Sequence, residues 1–252
     1  MIRPQSTPEP DRRSELFDGL RRGLLIGSAL LLLALPPIHY RSSPEPPSST
    51  AVPAPRARAR LADFKGSSPT PQAREMADWV LTSGDHQNKA FVIVDKKDAN
   101  VYVFDPRGRL KAAAPALLGV AVGDDSAPGI GDKPLPEVLP EEKTTPAGRF
   151  VAEVGMSTRG EDVVWVDYDA AVSMHRVLKV KERLAALASP TIADNRMSFG
   201  CINLPAKFYE KVLRPTVDAQ GAVIYVLPET RPLQETFASF YDVTSDLRTA
   251  QH

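Results

Sequence analysis

The chain has 252 residues, with 31 basic and 31 acidic side chains and one cysteine. A formal net charge of zero gives no electrostatic argument for nucleic-acid binding, so no nucleic-acid partner is expected. A lone cysteine excludes an intramolecular disulfide, and the thiol is either a packing residue or a group retained for its chemistry. The sequence contains no metal-ligand cluster, phosphate-binding loop or internal repeat, so neither a metal nor another cofactor is expected.

The first 69 residues are typical of an export signal followed by a linker. Residues 1–22, a cytoplasmic segment or the n-region of a signal, end in Arg21 and Arg22. They precede an apolar segment, 23–40, whose length suits a signal-peptide core or an uncleaved signal anchor. Residues 41–69 are rich in proline, serine and alanine and contain too few large apolar side chains to form a core. We therefore expect an exported protein, which stays anchored in a membrane if this segment is not cleaved.

A lead-in helix is predicted within residues 70–87. Thr70 and Pro71 have the chemistry of an N-cap and a first helical position, and Gly84 is a natural stop. The apolar positions between them repeat at helical spacing and form one face: Ala73, Met76, Ala77, Val80 and Leu81. This face predicts that the helix packs on the domain that follows.

Residues 88–228 predict a single, mainly β domain with a few helices. Short apolar runs separated by turn residues predict strands at 90–94, 101–104, 117–122, 150–154, 163–168, 171–175 and 222–227. A loop rich in glycine, proline and acidic residues, 123–144, is long enough to form a lid, although it suits an ordinary surface excursion equally well. In the last segment, 229–252, a terminal helix is predicted over 232–247.

Cys201 follows Gly200 in a polar-flanked run, residues 198–203 (Ser-Phe-Gly-Cys-Ile-Asn). Glycine permits a tight turn and leaves amide N–H groups beside the sulfur, and a helix is predicted to start at Pro205. A thiol in such surroundings ionises readily, and the N–H groups suit an oxyanion site. The alternative, that Cys201 is an inert buried residue, stays open at this level.

Of the four histidines, only His175 lies on a predicted strand. Strand alternation places Val172 and Met174 on one face of this strand, and Ser173 and His175 on the other, more polar face. His175 is therefore the candidate base for a thiol nucleophile. The alternative is a strand histidine that merely hydrogen-bonds a neighbour, and the sequence does not show that His175 touches Cys201.

These residues resemble the signature of the L,D-transpeptidase catalytic domain family (YkuD type). The run 198–203, with His175 upstream, is similar to the family's cysteine motif, and residues 145–150 (Thr-Pro-Ala-Gly-Arg-Phe) resemble its Thr-Pro-x-Gly-x-Phe segment. The matches span residues 88–228. Three features depart from the family pattern: Phe199 replaces a histidine, Arg176 replaces a glycine, and a helix predicted over 181–187 lengthens the stretch before the cysteine.

The resemblance implies cysteine-dependent acyl transfer on peptidoglycan stem peptides. It also implies a location in the periplasm or cell envelope, with the inner membrane as a partner if segment 23–40 is not cleaved. It makes Cys201 the nucleophile and His175 the base that takes the thiol proton. The backbone N–H groups of Gly200 and Cys201 would then stabilise the oxyanion of the tetrahedral intermediate.

Four further residues are expected to bind substrate or to order the site. Ser198 and Asn203 are expected to order the turn, Phe199 to form a wall of the pocket, and Arg196 to meet a substrate carboxylate. Two alternatives stay open: a non-catalytic, peptidoglycan-binding envelope protein, and a cysteine hydrolase that acts on wall-linked groups.

Overall fold

The structure, a computed structural model, describes residues 59–243. The predicted signal or anchor segment, 23–40, and most of the predicted linker lie outside the described residues. None of the helices within the described part combines the length and the apolar composition that crossing a bilayer requires. The described chain is mainly β with a few short helices, which agrees with the predicted fold class.

A five-stranded sheet lies at the centre of the domain. Its strands are β1 (Ala90–Asp95), β2 (Asn100–Phe104), β3 (Leu110–Pro115), β5 (Gly148–Val151) and β11 (Ala222–Val226). The order is β3-β2-β1-β11-β5, and only the β1 and β11 pair is parallel. Both faces of β1 are buried because the sheet separates two cores: Val92 and Val94 enter one, Phe91 and Ile93 the other.

Helix α1 (Pro71–Ser83) covers one face of this sheet. The helix begins where the Thr-Pro pair predicts, since Thr70 Oγ1 accepts a hydrogen bond from the Ala73 N–H at 3.1 Å. Gly84 ends it in the left-handed conformation, with φ 72°. The buried face of α1 packs on the sheet through Trp79, whose ring lies edge-on to Tyr225 at 6.3 Å.

A second, four-stranded sheet carries the predicted histidine strand. Its strands are β6 (Glu153–Met156), β7 (Asp162–Asp167), β8 (Val172–Arg176) and β10 (Ile202–Leu204), in the order β10-β8-β7-β6. Strands β8 and β10 run parallel. Met174 and Ile202 are fully buried in the core shared with the first sheet, so the neighbouring side chains point away from that core.

Short elements complete the domain. A two-stranded parallel pair is formed by β4 (Leu118–Gly119) and β9 (Arg196–Ser198). The helices after β8 are α2 (Lys181–Ala188), α3 (Ala206–Phe208), α4 (Arg214–Gln220) and α5 (Leu233–Thr236), with a π-helical turn, Tyr209–Leu213, between α3 and α4. Tyr209 and Leu213 are fully buried and close the core between the sheets.

Two predicted strands differ in the structure. The strand predicted over 150–154 is divided at Ala152, so that β5 joins the five-stranded sheet and β6 the four-stranded sheet. The strand predicted over 117–122 is reduced to β4, because its partner β9 ends at Ser198, where the chain turns toward Cys201. Strand β3 was not predicted, since its alanine-rich sequence has little strand propensity.

The prediction of a single terminal helix over 232–247 is wrong for residues 232–243, the part that the structure describes. Helix α5 ends at Thr236, because Phe237 adopts an extended conformation with φ −118°. The chain then turns and buries Phe240, whose ring lies 5.6 Å from that of Trp79. Burial of these two rings on the sheet outweighs the local preference for a continuous helix. Residues 244–247 lie outside the described residues.

Candidate active site

The parallel pairing of β8 and β10 brings the candidate nucleophile to the candidate base. Asn203 pairs with His175 and Ile202 with Met174, so Cys201, just before β10, lies beside Ser173. The Ser173 hydroxyl oxygen is 3.8 Å from Cys201 Sγ. Ser173 and His175 share the face of β8 turned away from the core, as the alternation predicts.

Cys201, His175 and Ser173 line a cavity of about 370 Å³. Trp165 on β7 contributes another part of the wall. The long loop, 123–144, contributes Ile130, Leu135 and Val138 to the lining and contains three 3₁₀ turns: Ile130–Asp132, Leu135–Glu137 and Pro140–Glu142. This loop therefore covers one side of the space in front of the thiol.

The hydrogen bond at Nδ1 determines which nitrogen of His175 acts as the base. Nδ1 lies 2.8 Å from the backbone carbonyl oxygen of Arg176, which only accepts hydrogen bonds, so Nδ1 carries the proton in the neutral ring. Nε2 then holds the lone pair, and the Asn203 amide nitrogen lies 3.5 Å from it. The neutral tautomer is therefore the one that accepts a proton at Nε2.

The surroundings of Cys201 favour its ionised form. Burial raises the pKa of the thiol, but interaction with the His175 ring and hydrogen bonds from the Ser173 N–H and hydroxyl stabilise the thiolate more strongly. The pKa of Cys201 therefore lies below its ordinary value. Burial lowers the pKa of His175, yet its interactions with the Cys201 sulfur bring the pKa above the usual value. Each group thus stabilises the charged form of the other, relative to an isolated thiol or imidazole.

The turn that presents Cys201 depends on glycine. Gly200 has φ 123°, and a Cβ at this position would lie 2.7 Å from the Thr144 carbonyl oxygen. Ser198 orders the same turn: its hydroxyl donates to the Cys201 carbonyl oxygen at 2.6 Å and accepts the Gly200 N–H at 3.1 Å. The Gly200 N–H therefore serves the turn, and a role as an oxyanion donor requires Ser198 to release it.

The Thr-Pro-x-Gly-x-Phe segment contacts the cysteine turn directly. Thr145 is completely buried, and its hydroxyl donates to the Gly200 carbonyl oxygen at 2.8 Å. Thr145 Oγ1 also accepts a hydrogen bond from the Gly119 N–H at 2.9 Å. Thr145 therefore links β4, the long loop and the cysteine turn, which explains why the two sequence motifs occur together.

Replacing Thr145 by valine is expected to lower the free energy of unfolding by about 1–3 kcal/mol, because the Gly200 carbonyl and the Gly119 N–H lose their buried partner. Urea denaturation followed by tryptophan fluorescence measures the change. Thr145→Ser retains the hydroxyl and is the matched control. Equal stability of the valine and serine variants would show that the hydroxyl bridge contributes nothing.

The structure places Arg196 away from the cavity, which does not support its predicted contact with a substrate carboxylate. Its guanidinium is paired with Glu229 and donates to the Lys96 carbonyl oxygen at 3.0 Å. Lys96 is itself buried and pairs with Asp124 at 2.8 Å. Burial raises the pKa of Asp124, but hydrogen bonds from Lys96 and Thr230 outweigh it and hold this pKa below the ordinary value. These ion pairs of Arg196 and Lys96 fix the start of the long loop next to β9.

Phe199 and Asn203 both line the cavity. The Phe199 side chain is exposed, and the ammonium of Lys143 lies 4.0 Å from its ring centroid. Asn203 is buried and donates from Nδ2 to the Cys201 carbonyl oxygen at 3.2 Å. Phe199 is therefore placed as a wall residue, and Asn203 as a residue that orders the turn.

Sequence reasoning did not name Ser173, Trp165 or Arg183 as site residues. For Ser173 a signal was present, because alternation placed it on the same face as His175. Trp165 and Arg183 come from β7 and α2, and nothing in their local sequence points to the cavity. Within residues 59–243, no group of three or more His, Cys, Asp or Glu side chains is arranged to hold a metal ion.

No protein-family model and no curated protein matches the chain. Solved structures with partial similarity include an L,D-transpeptidase variant from Enterococcus faecium (14% identity, 55% of this chain and 50% of that one, TM-score 0.30). An L,D-transpeptidase from Mycobacterium smegmatis has 16% identity over 55% of this chain and 58% of its own, with a TM-score of 0.30. The helical cell shape determining protein Pgp2 from Campylobacter jejuni has 16% identity over 73% of this chain and 64% of its own, with a TM-score of 0.39.

The chain spans about half the length of the first two structures found, 50% and 49%. L,D-transpeptidases recur among the similar structures, and the sequence resembles the same family.

Proposed function

We propose that the protein is a cysteine acyltransferase that acts on peptidoglycan stem peptides. The observation that carries this proposal is the placement of Cys201 in a cavity beside His175, with surroundings that lower the pKa of the thiol. A packing cysteine needs neither a base nor a cavity. The choice of peptidoglycan as substrate is supported by the resemblance of the cysteine motif and the Thr-Pro-x-Gly-x-Phe segment to the L,D-transpeptidase family.

The proposed reaction has two halves. In the first, His175 Nε2 holds the thiol proton while Cys201 Sγ attacks the carbonyl carbon of the diamino acid in a tetrapeptide stem. The C–N bond to the terminal D-alanine breaks, and the departing amine takes the proton from His175, leaving a thioester. In the second half, His175 takes a proton from an acceptor amine, whose nitrogen attacks the thioester carbonyl carbon. The C–S bond breaks, and His175 returns the proton to Cys201 Sγ.

The cavity supports this chemistry with groups already held in place. The Nδ1 hydrogen bond to the Arg176 carbonyl fixes the ring of His175, and the hydroxyl of Ser198 fixes the cysteine turn. The long loop lines one side of the cavity and would limit the access of water to the thioester from that side. A periplasmic or cell-envelope location, with segment 23–40 as a signal or an inner-membrane anchor, forms part of the proposal.

Incubation of the purified protein with a carbapenem tests the proposal. A carbapenem carries a strained acyl group, and we expect a covalent adduct by intact mass at one site, which peptide mapping assigns to Cys201. Cys201→Ala is expected to fold and to form no adduct. Absence of an adduct on folded parent protein, together with no turnover of a stem tetrapeptide, would contradict the acyltransferase.

Product analysis with the stem tetrapeptide separates the alternatives. Transfer yields a cross-linked or exchanged peptide when an amine acceptor is supplied, whereas a hydrolase yields the free tripeptide with water as acceptor. The hydrogen bond between Ser198 and the Gly200 N–H favours one further candidate, a non-catalytic peptidoglycan-binding protein, because it occupies a predicted oxyanion donor. That candidate predicts peptide binding without release of D-alanine.

A further inference from the structure

Arg183 lines the cavity and comes from α2, the helix inserted before the cysteine motif. Ala186 and Leu187 follow it by three and four residues and are buried in a small cluster with Leu117 and Val177. Residues at these spacings lie on the same side of a helix. The packing that anchors α2 therefore also directs Arg183 toward the cavity.

The guanidinium of Arg183 has no carboxylate partner among residues 59–243. Nη1 donates to Asn203 Oδ1 at 2.8 Å, and Nη2 donates to the Met197 carbonyl oxygen at 3.4 Å, and both acceptors are neutral. Arg176 and Arg196, by contrast, are each paired with carboxylates. A guanidinium carries five N–H donors, so Arg183 keeps its positive charge and donors for a ligand in the cavity.

The other charged groups of the cavity leave the positive charge of Arg183 uncompensated. Lys133 is neutralised by Glu142, 2.7 Å away. Arg159 and Glu161 also line the cavity, and neither has an ion-pair partner within the described residues. The cavity lining therefore contains two guanidiniums without an ion pair, those of Arg159 and Arg183, and one such carboxylate, that of Glu161. A cavity with this surplus attracts an anionic group.

We infer that Arg183 binds a carboxylate on the diamino-acid side chain of the donor peptide, so that the inserted helix selects donors carrying this carboxylate. The inference rests on the proposed function and specifies its substrate. A guanidinium and a carboxylate form two parallel charge-assisted hydrogen bonds, which fixes direction as well as charge. Arg183 thus takes the role that the sequence suggested for Arg196.

Two stem tetrapeptides that differ in one group test the inference. In one, the third residue is diaminopimelic acid with a free side-chain carboxylate, and in the other this carboxylate is an amide. With the parent protein we expect kcat/KM for D-alanine release to be about 10–100-fold higher for the carboxylate. In Arg183→Gln the ratio falls to about 1 through a higher KM. Arg107→Gln, at an exposed turn remote from the cavity, keeps the parent ratio.

Three results separate this inference from the proposed function. Equal kcat/KM for the two peptides in the parent overturns the carboxylate contact and leaves acyl transfer intact. An equal fall in kcat for both peptides in Arg183→Gln shows that Arg183 only positions Asn203 and also overturns it. If neither peptide is turned over, the acyl-transfer proposal fails, and calorimetric binding of the two peptides to Cys201→Ala tests the contact instead. Tighter binding of the carboxylate peptide, lost in Cys201→Ala/Arg183→Gln, supports the contact. Equal binding of the two peptides overturns it.

Discussion

Replacing His175 by glutamine is expected to reduce the rate of Cys201 acylation by about 10²–10⁴-fold. The variant loses the group that accepts the thiol proton and returns it to the leaving amine. It also loses the interaction that most strongly opposes the effect of burial on the thiol, so the pKa of Cys201 rises. Stopped-flow acylation by a carbapenem, with the adduct confirmed by mass, measures the rate.

The pH dependence of alkylation by iodoacetamide tests whether His175 lowers the pKa of the Cys201 thiol. The thiolate is the reactive form, and the pKa of Cys201 is lowered, so the midpoint of the parent profile is expected below that of an ordinary thiol. In His175→Gln the midpoint moves to higher pH, and the rate near pH 7 falls. Urea-unfolded parent protein is the reference for an unperturbed thiol. An unchanged midpoint in His175→Gln would refute the electrostatic coupling of the two groups.

Replacing Gly200 by alanine is expected to lower the acylation rate by at least about 10-fold and the free energy of unfolding by about 1–3 kcal/mol. Alanine is strained at φ 123°, and its Cβ would lie 2.7 Å from the Thr144 carbonyl oxygen. That atom belongs to the backbone next to Thr145, so the collision has no flexible side chain to absorb it. The cysteine turn must shift, and Sγ moves relative to His175.

Gly66→Ala is the matched control for this prediction. Gly66 also has a positive φ, 80°, but no atom lies within 4 Å of a Cβ at this position. It therefore reproduces the backbone strain without the collision and lies away from the cavity. We expect a smaller loss of stability and an unchanged acylation rate. If both alanine variants lose equal stability and neither loses activity, the close approach of Thr144 is irrelevant to the site.

Much of the local structure could be predicted from short segments of sequence. The chemistry of Thr70, Pro71 and Gly84 defines both ends of α1, because caps act within one helical turn. Alternation along 171–175 identified the polar face of β8, since side chains of a strand alternate by geometry alone. The lone cysteine and a histidine on that face were sufficient to name the candidate pair.

What the sequence did not show depends on contacts between distant segments. The division at Ala152 and the end of α5 at Thr236 follow from where the sheets and aromatic rings pack, and packing overrides local propensity. Whether Arg183 or Arg196 is free to bind a ligand also depends on contacts between distant segments. Arg196 has a partner in Glu229, 33 residues later, whereas Arg183 has none among the carboxylates of the described residues.

The sequence by itself therefore determined which groups are available: one thiol, one histidine on a polar strand face, and two motifs that resemble those of L,D-transpeptidase catalytic domains. Only the tertiary structure decided how these groups are arranged in space. The parallel register of β8 and β10 places Cys201 beside Ser173 and His175, and the Thr145 hydroxyl joins the second motif to the cysteine turn. The physical reason is that strand register and buried hydrogen bonds are set by the whole core, whereas caps and alternation depend on a few neighbouring residues.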